Sequence, residues 1–240
     1  RGDMAPLDKV SESGELKAKA VAEATETYRL DTYGNTFALS HRAVLNDDLS
    51  ALTDWSQIAA RSSATTEANL IAGALLANSK MNEDGKTLFH SYRNAAATGA
   101  ALSITALGAG RQTMRGFKAL DGKTLINSAP KYLLVGPALE TVAEQFLSSL
   151  YATTPEDVNP WGGTGKLTLL VEPRISDNRW YLFADPASVP VLESATIASE
   201  PGPQISTRLG FNSLGTEFRV YMHLGAGGVD WRGAYMNPGA

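Results

Sequence analysis

The strongest constraint on this chain lies near its start, where residues 11–45 cannot make a core of their own. From Glu15 to Leu30 the sequence alternates with a period of two, the period of a β-strand. Leu16, Ala18, Ala20, Ala22 and Ala24 fall on one side; Lys17, Lys19, Val21, Glu23 and Thr25 fall on the other. A strand backed by its own core offers Val, Ile or Phe on the inner face. Here that face is nearly all alanine. An isolated hairpin of this kind buries little apolar area and is marginal in water. It orders by lying on another subunit, so the pattern predicts an assembly protein. Lys17, Lys19, Glu23, Glu26 and Arg29 give the arm a mixed-sign surface. Such a surface either solubilises the arm or fixes its register on a neighbour through ion pairs, which contribute more to specificity than to affinity.

The 240 residues suffice for one large or two small domains with a sizeable core. A net charge of −4 argues against nucleic-acid binding through a broad basic surface. With no cysteine there is no disulfide framework, thiolate nucleophile or cysteine-rich zinc site. No apolar run approaches the roughly 20 residues of a membrane-spanning helix, and no signal peptide opens the chain. A chain opening on Arg1 reads as a cropped or processed product.

Beyond the arm, Tyr33–Ser40 reads as a return strand, and Asn46-Asp47-Asp48 as a helix start whose side chains cap free amides and suit the helix dipole. Leu49, Leu52, Trp55, Ile58 and Ala59 follow at spacings of three and four, predicting a helix over 48–77, about 45 Å long. Trp55, on that stripe, is the expected anchor of the helix on a sheet. Asp84-Gly85 and Asp121-Gly122-Lys123 mark turns, and Ser103 caps a helix over 103–118. Lys131–Val135 is a continuous apolar strand, broken by Gly136-Pro137 before a helix over 138–151. Pro155–Gly165 is a loop. Leu167–Glu172 and Trp180–Phe183 are expected to pair, and strands continue from Val191 to Val229.

The motifs that could carry chemistry are weak. Gly162-Gly-Thr-Gly-Lys166 lacks the first glycine and the Ser or Thr of a phosphate loop, since Pro160 and Leu167 stand there. Gly108-Ala-Gly110 lacks the third glycine and preceding strand of a dinucleotide fingerprint, and reads as close helix packing. Ser40 and His41, adjacent on a strand, point to opposite faces and make no nucleophile–base pair. The carboxylate pairs Asp47-Asp48, Glu83-Asp84 and Glu140/Glu144 read as a helix start, a turn and a solvated helix face. None has a histidine at ligand spacing. Arg1-Gly2-Asp3 spells an adhesion tripeptide by coincidence. No catalytic residue, cofactor site or metal site is expected, and the protein is read as not an enzyme.

Five ordered segments resemble a known group: Asp31–Leu49, Met81–His90, Pro130–Glu140, Trp180–Pro186 and Gly225–Gly239. Together they resemble the major capsid proteins of tailed phages and prophages, in the Mu-like head-subunit group often fused to a prohead protease. The resemblance implies an α+β chain with the capsid fold first seen in the phage Hong Kong 97: an extended β-hairpin loop over residues 10–40, a spine helix over 47–78, and peripheral and axial domains. Its implied division is 1–45 for the N-terminal segment and extended loop, 46–123 for the peripheral domain, 124–190 for the axial domain and 191–240 for returning peripheral strands. Little precedes the loop, where the family usually carries an N-terminal arm. The implied function is a structural head subunit that self-assembles into an icosahedral phage or phage-derived shell. Its implied partners are copies of itself in hexamers and pentamers, packaged DNA, and a prohead protease or scaffold during assembly, with no membrane. The implied place is the virion capsid, assembled in the bacterial cytoplasm. Two other readings stand beside it: a protease- or hydrolase-associated oligomer, which the missing catalytic set disfavours, and a smaller oligomeric binding module, which particle size would separate.

Overall fold

The computed structural model describes residues 2–4, 21–40, 55–148, 159–162, 166–210 and 215–240, with the backbone alone for 2–4, 21 and 22. In chain order the strands are β1 (Gly2–Met4), β2 (Val21–Glu23), β3 (Asp31–Ser40), β4 (Pro130–Val135), β5 (Thr168–Val171), β6 (Trp180–Ala184), β7 (Leu192–Thr196), β8 (Gln204–Leu209), β9 (Gly215–Gly228) and β10 (Ala234–Asn237). The helices are α1 (Trp55–Ala77), α2 (Ile104–Arg115) and α3 (Glu140–Leu147). The chain divides into two compact units. Unit 1 is Arg1–Thr27, Leu76–Val191 and Gly228–Ala240; unit 2 is Tyr28–Leu75 and Leu192–Gly227. Of the stretch 46–123, the part up to Leu75 therefore falls in unit 2 and the rest in unit 1.

Unit 1 is built on a four-stranded sheet in the order β10-β6-β4-β5. β4 runs parallel to β5 and antiparallel to β6. The expected pairing of 167–172 with 180–183 does not occur, because β4 lies between them. The apolar run of β4 explains this: Leu133 and Val135 on one face are fully buried and Tyr132 and Leu134 on the other are half-buried, and a strand covered to this degree belongs in the middle of a sheet. Leu169, Leu133, Leu182 and Tyr235 lie in one row across the four strands. α2 lies close to this row, where Gly110 leaves no room for a side chain. A Cβ there would sit 2.8 Å from Leu182 and 2.9 Å from the Tyr235 ring. The reading of Gly108–Gly110 as helix packing thus holds at Gly110, while Gly108 faces open space. Ser103 caps α2, its hydroxyl accepting from the Ala106 amide at 3.1 Å. The turn before β4 uses Gly122 at φ +67°. There Asp121 accepts from the Lys123 and Thr124 amides at 2.8 Å each. The hydrogen bond from the Thr124 hydroxyl, helped by those amides, pushes the Asp121 carboxyl down to about 2. The helix expected over 138–151 is a short 3-10 turn at Pro137–Leu139 followed by α3; positions 149–151 lie outside the described residues.

Unit 2 is a second sheet with α1 packed in the same unit. β9 is its long central strand, paired with β3 on one side and with β7 and β8 on the other. The β3–β9 ladder is unbroken over ten residues, from Asp31↔Leu224 to Ser40↔Gly215. Gly34 permits this close pairing, since a Cβ there would meet Val220 O and Tyr221 Cβ at 2.9 Å. α1 begins at Trp55; the expected first turns over 48–54, with the Asn46–Asp48 cap, lie outside the described residues. The stripe, expected to run on through Ala60 and Ala64, is corrected: Ile58 is 54% exposed, Ala60 and Ala64 are exposed too, and the buried positions are Ala59, Ser63, Ala72 and Leu75. Three of the four buried side chains are small, which allows close approach, and Leu75 adds the one large aliphatic group at the far end of the helix. The Ser/Thr-rich middle stays helical by turning its hydroxyls back on the helix. Ser63, Thr65 and Thr66 donate to the carbonyls of Ala59, Arg61 and Ser62 at 2.8–2.9 Å.

Candidate assembly surfaces

Of the residues expected to line the arm's interface, Lys17 and Lys19 lie outside the described residues, and Glu23 and Arg29 are exposed. Glu26 has a different role. Its carboxylate accepts from the Asn82 amide at 2.8 Å and the Glu83 amide at 3.0 Å. The Asn82 side-chain amide also donates to the Thr27 hydroxyl at 3.3 Å. The chain leaving β2 is thus tied to the turn at 82–85, where Gly85 takes φ +69°.

That turn is the outer end of a buried charge network in unit 1. Arg232, 5% exposed, grips the Glu83 carboxylate with both terminal nitrogens, donates to the Lys118 carbonyl at 2.9 Å and faces Asp230 at 3.3 Å. Arg93 pairs with Asp84 at 2.6 Å and donates to the Lys86 and Thr87 carbonyls. Both guanidiniums lie over the Trp231 ring, 4.8 Å and 4.5 Å from its centre. The hydrogen bond from Arg232 holds the Glu83 carboxyl below its ordinary value, against the opposing effect of burial. Burial pulls the Arg93 guanidinium below its usual value, with Asp84 opposing. Fully buried Asn94 completes the node, donating to Leu88 O at 2.9 Å and Trp231 O at 3.2 Å. Sequence reasoning took Glu83-Asp84 for a plain turn and singled out neither arginine. The partners Glu83 and Arg232 are 149 positions apart, and no local pattern joins them.

In unit 2, Trp55 meets Phe37 edge-on at 4.2 Å and lies 5.4 Å from Phe218, which itself stacks on Phe37 at 4.9 Å. A cleft of about 190 Å³ lined by Tyr33, Ser62, Ser63, Thr66, Val220 and Met222 follows the helix along this sheet face. On the opposite face, Thr32 Oγ1 and His223 Nδ1 are 2.8 Å apart, and His223 Nε2 is 3.2 Å from Glu200, which ties β3, β9 and the turn before β8 together. Much of unit 2 remains open. All of β8 after Gln204 is exposed, with Leu209 at 82% and Ile205 at 42%.

The remaining expected sites are structural or undescribed. Lys166 Nζ donates to the Pro160 carbonyl at 2.8 Å beside buried Trp161, while 163–165 lie outside the described residues. Glu140 and Glu144 are exposed on α3; Arg1, His41, Asp47 and Asp48 lie outside the described residues. Among the described residues no group of three His, Asp or Glu could hold a metal, and no helix is long and apolar enough to cross a membrane.

This arrangement of mixed sheets and helices is a fold shared with solved capsid structures. The capsid of cyanophage P-SCSP1u matches with a TM-score of 0.63 at 11% identity, covering all of this chain and 82% of that one. The capsid of Myoviridae phage XM1 gives 0.61 at 8% identity, covering 100% and 83%. The capsid of a native GTA particle gives 0.61 at 13%, covering 100% and 82%. The sequence profile of the family described as phage capsid protein matches residues 23–237, and the chain belongs to that family. It is a structural capsid protein with the fold of tailed-phage major capsid proteins. No curated protein sequence matches it.

Proposed function

We propose that copies of this chain close into an icosahedral shell, in rings of six and five, around packaged DNA. Residues 124–190 form the axial domain, and residues 46–123 and 191–240 form the peripheral domain. The arm before Val21 lies over a neighbouring subunit, with Lys17, Lys19, Glu23 and Arg29 setting its register there and Glu26 anchoring its root to its own subunit. A prohead protease or scaffold acts during assembly in the bacterial cytoplasm, and the subunit itself catalyses nothing. The observation that carries the reading is the family match over residues 23–237. It is supported by the surface of unit 2: only four of the 23 residues of α1 are buried. The test is to replace residues 5–20 with a short Gly-Ser linker, which leaves Glu26 and its anchor in place. Full-length protein should give closed particles by mass photometry and electron microscopy, and the variant a folded monomer or single ring. A full-length protein that stays a monomer or dimer, or a variant that still closes shells, would refute the respective part.

A further inference from the structure

β8 is the most exposed strand of unit 2 among the described residues. β8 is a six-residue strand that pairs with β9 from Gln204↔Tyr221 to Leu209↔Thr216 and, among the described residues, with no other strand. An open edge of this length, without a charge pointing inward or a proline within the strand, is a template for pairing with another chain. Directly opposed residues share a face, so Ile205, Thr207 and Leu209 lie on the side that carries Val220, Phe218 and Thr216, and Ser206 and Arg208 lie on the other.

We infer that β8 pairs antiparallel with β8 of a second copy about a two-fold axis at Thr207, joining two three-stranded ladders into one six-stranded sheet β3-β9-β8-β8-β9-β3. The inference rests on the shell reading above and names one contact within it. A two-fold axis perpendicular to the sheet keeps each face on its own side, so it must pass through a residue and not between two. Centred on Thr207, the register sets Ile205 against Leu209 of the second copy and Leu209 against its Ile205. The two apolar side chains that unit 2 leaves exposed on this strand then cover each other. Thr207 meets Thr207, a favourable cross-strand pair, in line with the Phe37–Phe218 stack of each copy. On the other face Arg208 falls opposite Ser206 and stays paired with its own Glu217 at 2.6 Å. The neighbouring register centred on Ser206 is worse. It sets Leu209 against Pro203, which lies outside the strand and has no amide to donate.

The chain has no cysteine, so single introduced cysteines report the register cleanly. Opposed Cα atoms of an antiparallel pair are about 4.5–5.5 Å apart, within the roughly 4.4–6.8 Å a disulfide spans. In assembled full-length protein, Thr207→Cys should oxidise to a covalent dimer on a non-reducing gel. Gln204→Cys should not, because its two copies would be six residues, about 20 Å, apart along the ladder. The double variant Ile205→Glu/Leu209→Glu should keep the circular dichroism of the parent and lose the particle peak in mass photometry. Particles that form normally while Thr207→Cys fails to cross-link would overturn this contact and leave the shell reading intact. Equal cross-linking at Gln204→Cys would also overturn it, as would normal particles from the double variant. Loss of particles in the double variant without a Thr207→Cys cross-link would mean that a different strand covers this edge, which again refutes self-pairing. Wild-type protein that forms no particles would count against the shell reading itself; a Thr207→Cys dimer in that protein would still uphold the pairing.

Discussion

The two units of this chain bury their surfaces in opposite ways. In unit 1, helices cover a sheet whose strand β6 is buried at four of five positions, and Trp180, Leu133, Leu182, Leu107 and Met114 are sealed from solvent. In unit 2, β3 has no buried position, β8 none, and α1 only four. Unit 1 can be stabilised by its own burial. Unit 2 holds together through a long ladder and one aromatic cluster, and presents the rest of its surface outward. A subunit that must fold alone and then be completed by neighbours needs both kinds of region, and it keeps them in separate units.

The sharpest way to break this comparison is a matched truncation in each unit. Leu133 sits at 0% exposure in the centre of the unit 1 sheet, so Leu133→Ala should cost about 3–5 kcal/mol through lost transfer energy and a cavity. Leu209, at 82% exposure in unit 2, should change the stability of the free subunit by less than about 0.5 kcal/mol when replaced by alanine. Denaturant unfolding of dissociated subunits measures both. Equal losses would mean that unit 2 is completed within the subunit after all.

The charge network of unit 1 gives the next effect. Glu83→Gln leaves Arg232 buried with half its carboxylate support and should cost about 3 kcal/mol at neutral pH. The folded pKa of Glu83 lies below its ordinary 4.5, so its contribution is fully present above that value and is lost as pH falls through the lower folded value. The difference in melting temperature between parent and Glu83→Gln should therefore be largest at neutral pH and close as pH falls below about 4.5. A constant difference from pH 7 to pH 3 would show that the carboxylate charge contributes nothing.

The same contrast explains what could be read in advance. Local signals survived where one element decides its own structure: the Ser103 cap, the apolar run of β4, the glycine turns at 85 and 122. The capsid resemblance spanned both units because its segments are scattered through both. Three features failed to show, each for its own reason. The order of the sheet put β4 between β5 and β6, and strand order is a long-range property that alternation cannot report. The Glu83–Arg232–Trp231–Arg93 node joins residues from distant segments, so no local pattern marks its three charges or its ring as partners. Ile58 drew the helix stripe toward itself because hydropathy ranks it above Ala59 and Ser63, whereas close packing on a sheet favours the small residues.

The smallest effect probes unit 2 from inside. Trp55 is half-buried, and its ring meets Phe37 and Phe218, joining the start of α1 to both β3 and β9. Trp55→Ala should cost the free subunit about 2 kcal/mol, less than a fully sealed tryptophan would, because part of the ring remains in contact with water. Trp55→Phe should cost under about 1 kcal/mol, since it keeps an aromatic contact and the indole N–H has no acceptor among the described residues to lose. The measurement is unusually direct. Trp161, Trp180 and Trp231 all belong to unit 1, so Trp55 is the one tryptophan of unit 2. The parent-minus-Trp55→Phe fluorescence difference therefore follows unit 2 alone during unfolding, while the remaining three follow unit 1. If unit 2 is the less self-sufficient region, its signal should change at lower denaturant in free subunits and coincide with that of unit 1 in assembled particles. Coincident transitions in the free subunit would mean that the aromatic cluster and the β3–β9 ladder make unit 2 as resistant to denaturant as unit 1, and the contrast drawn from burial would not extend to stability.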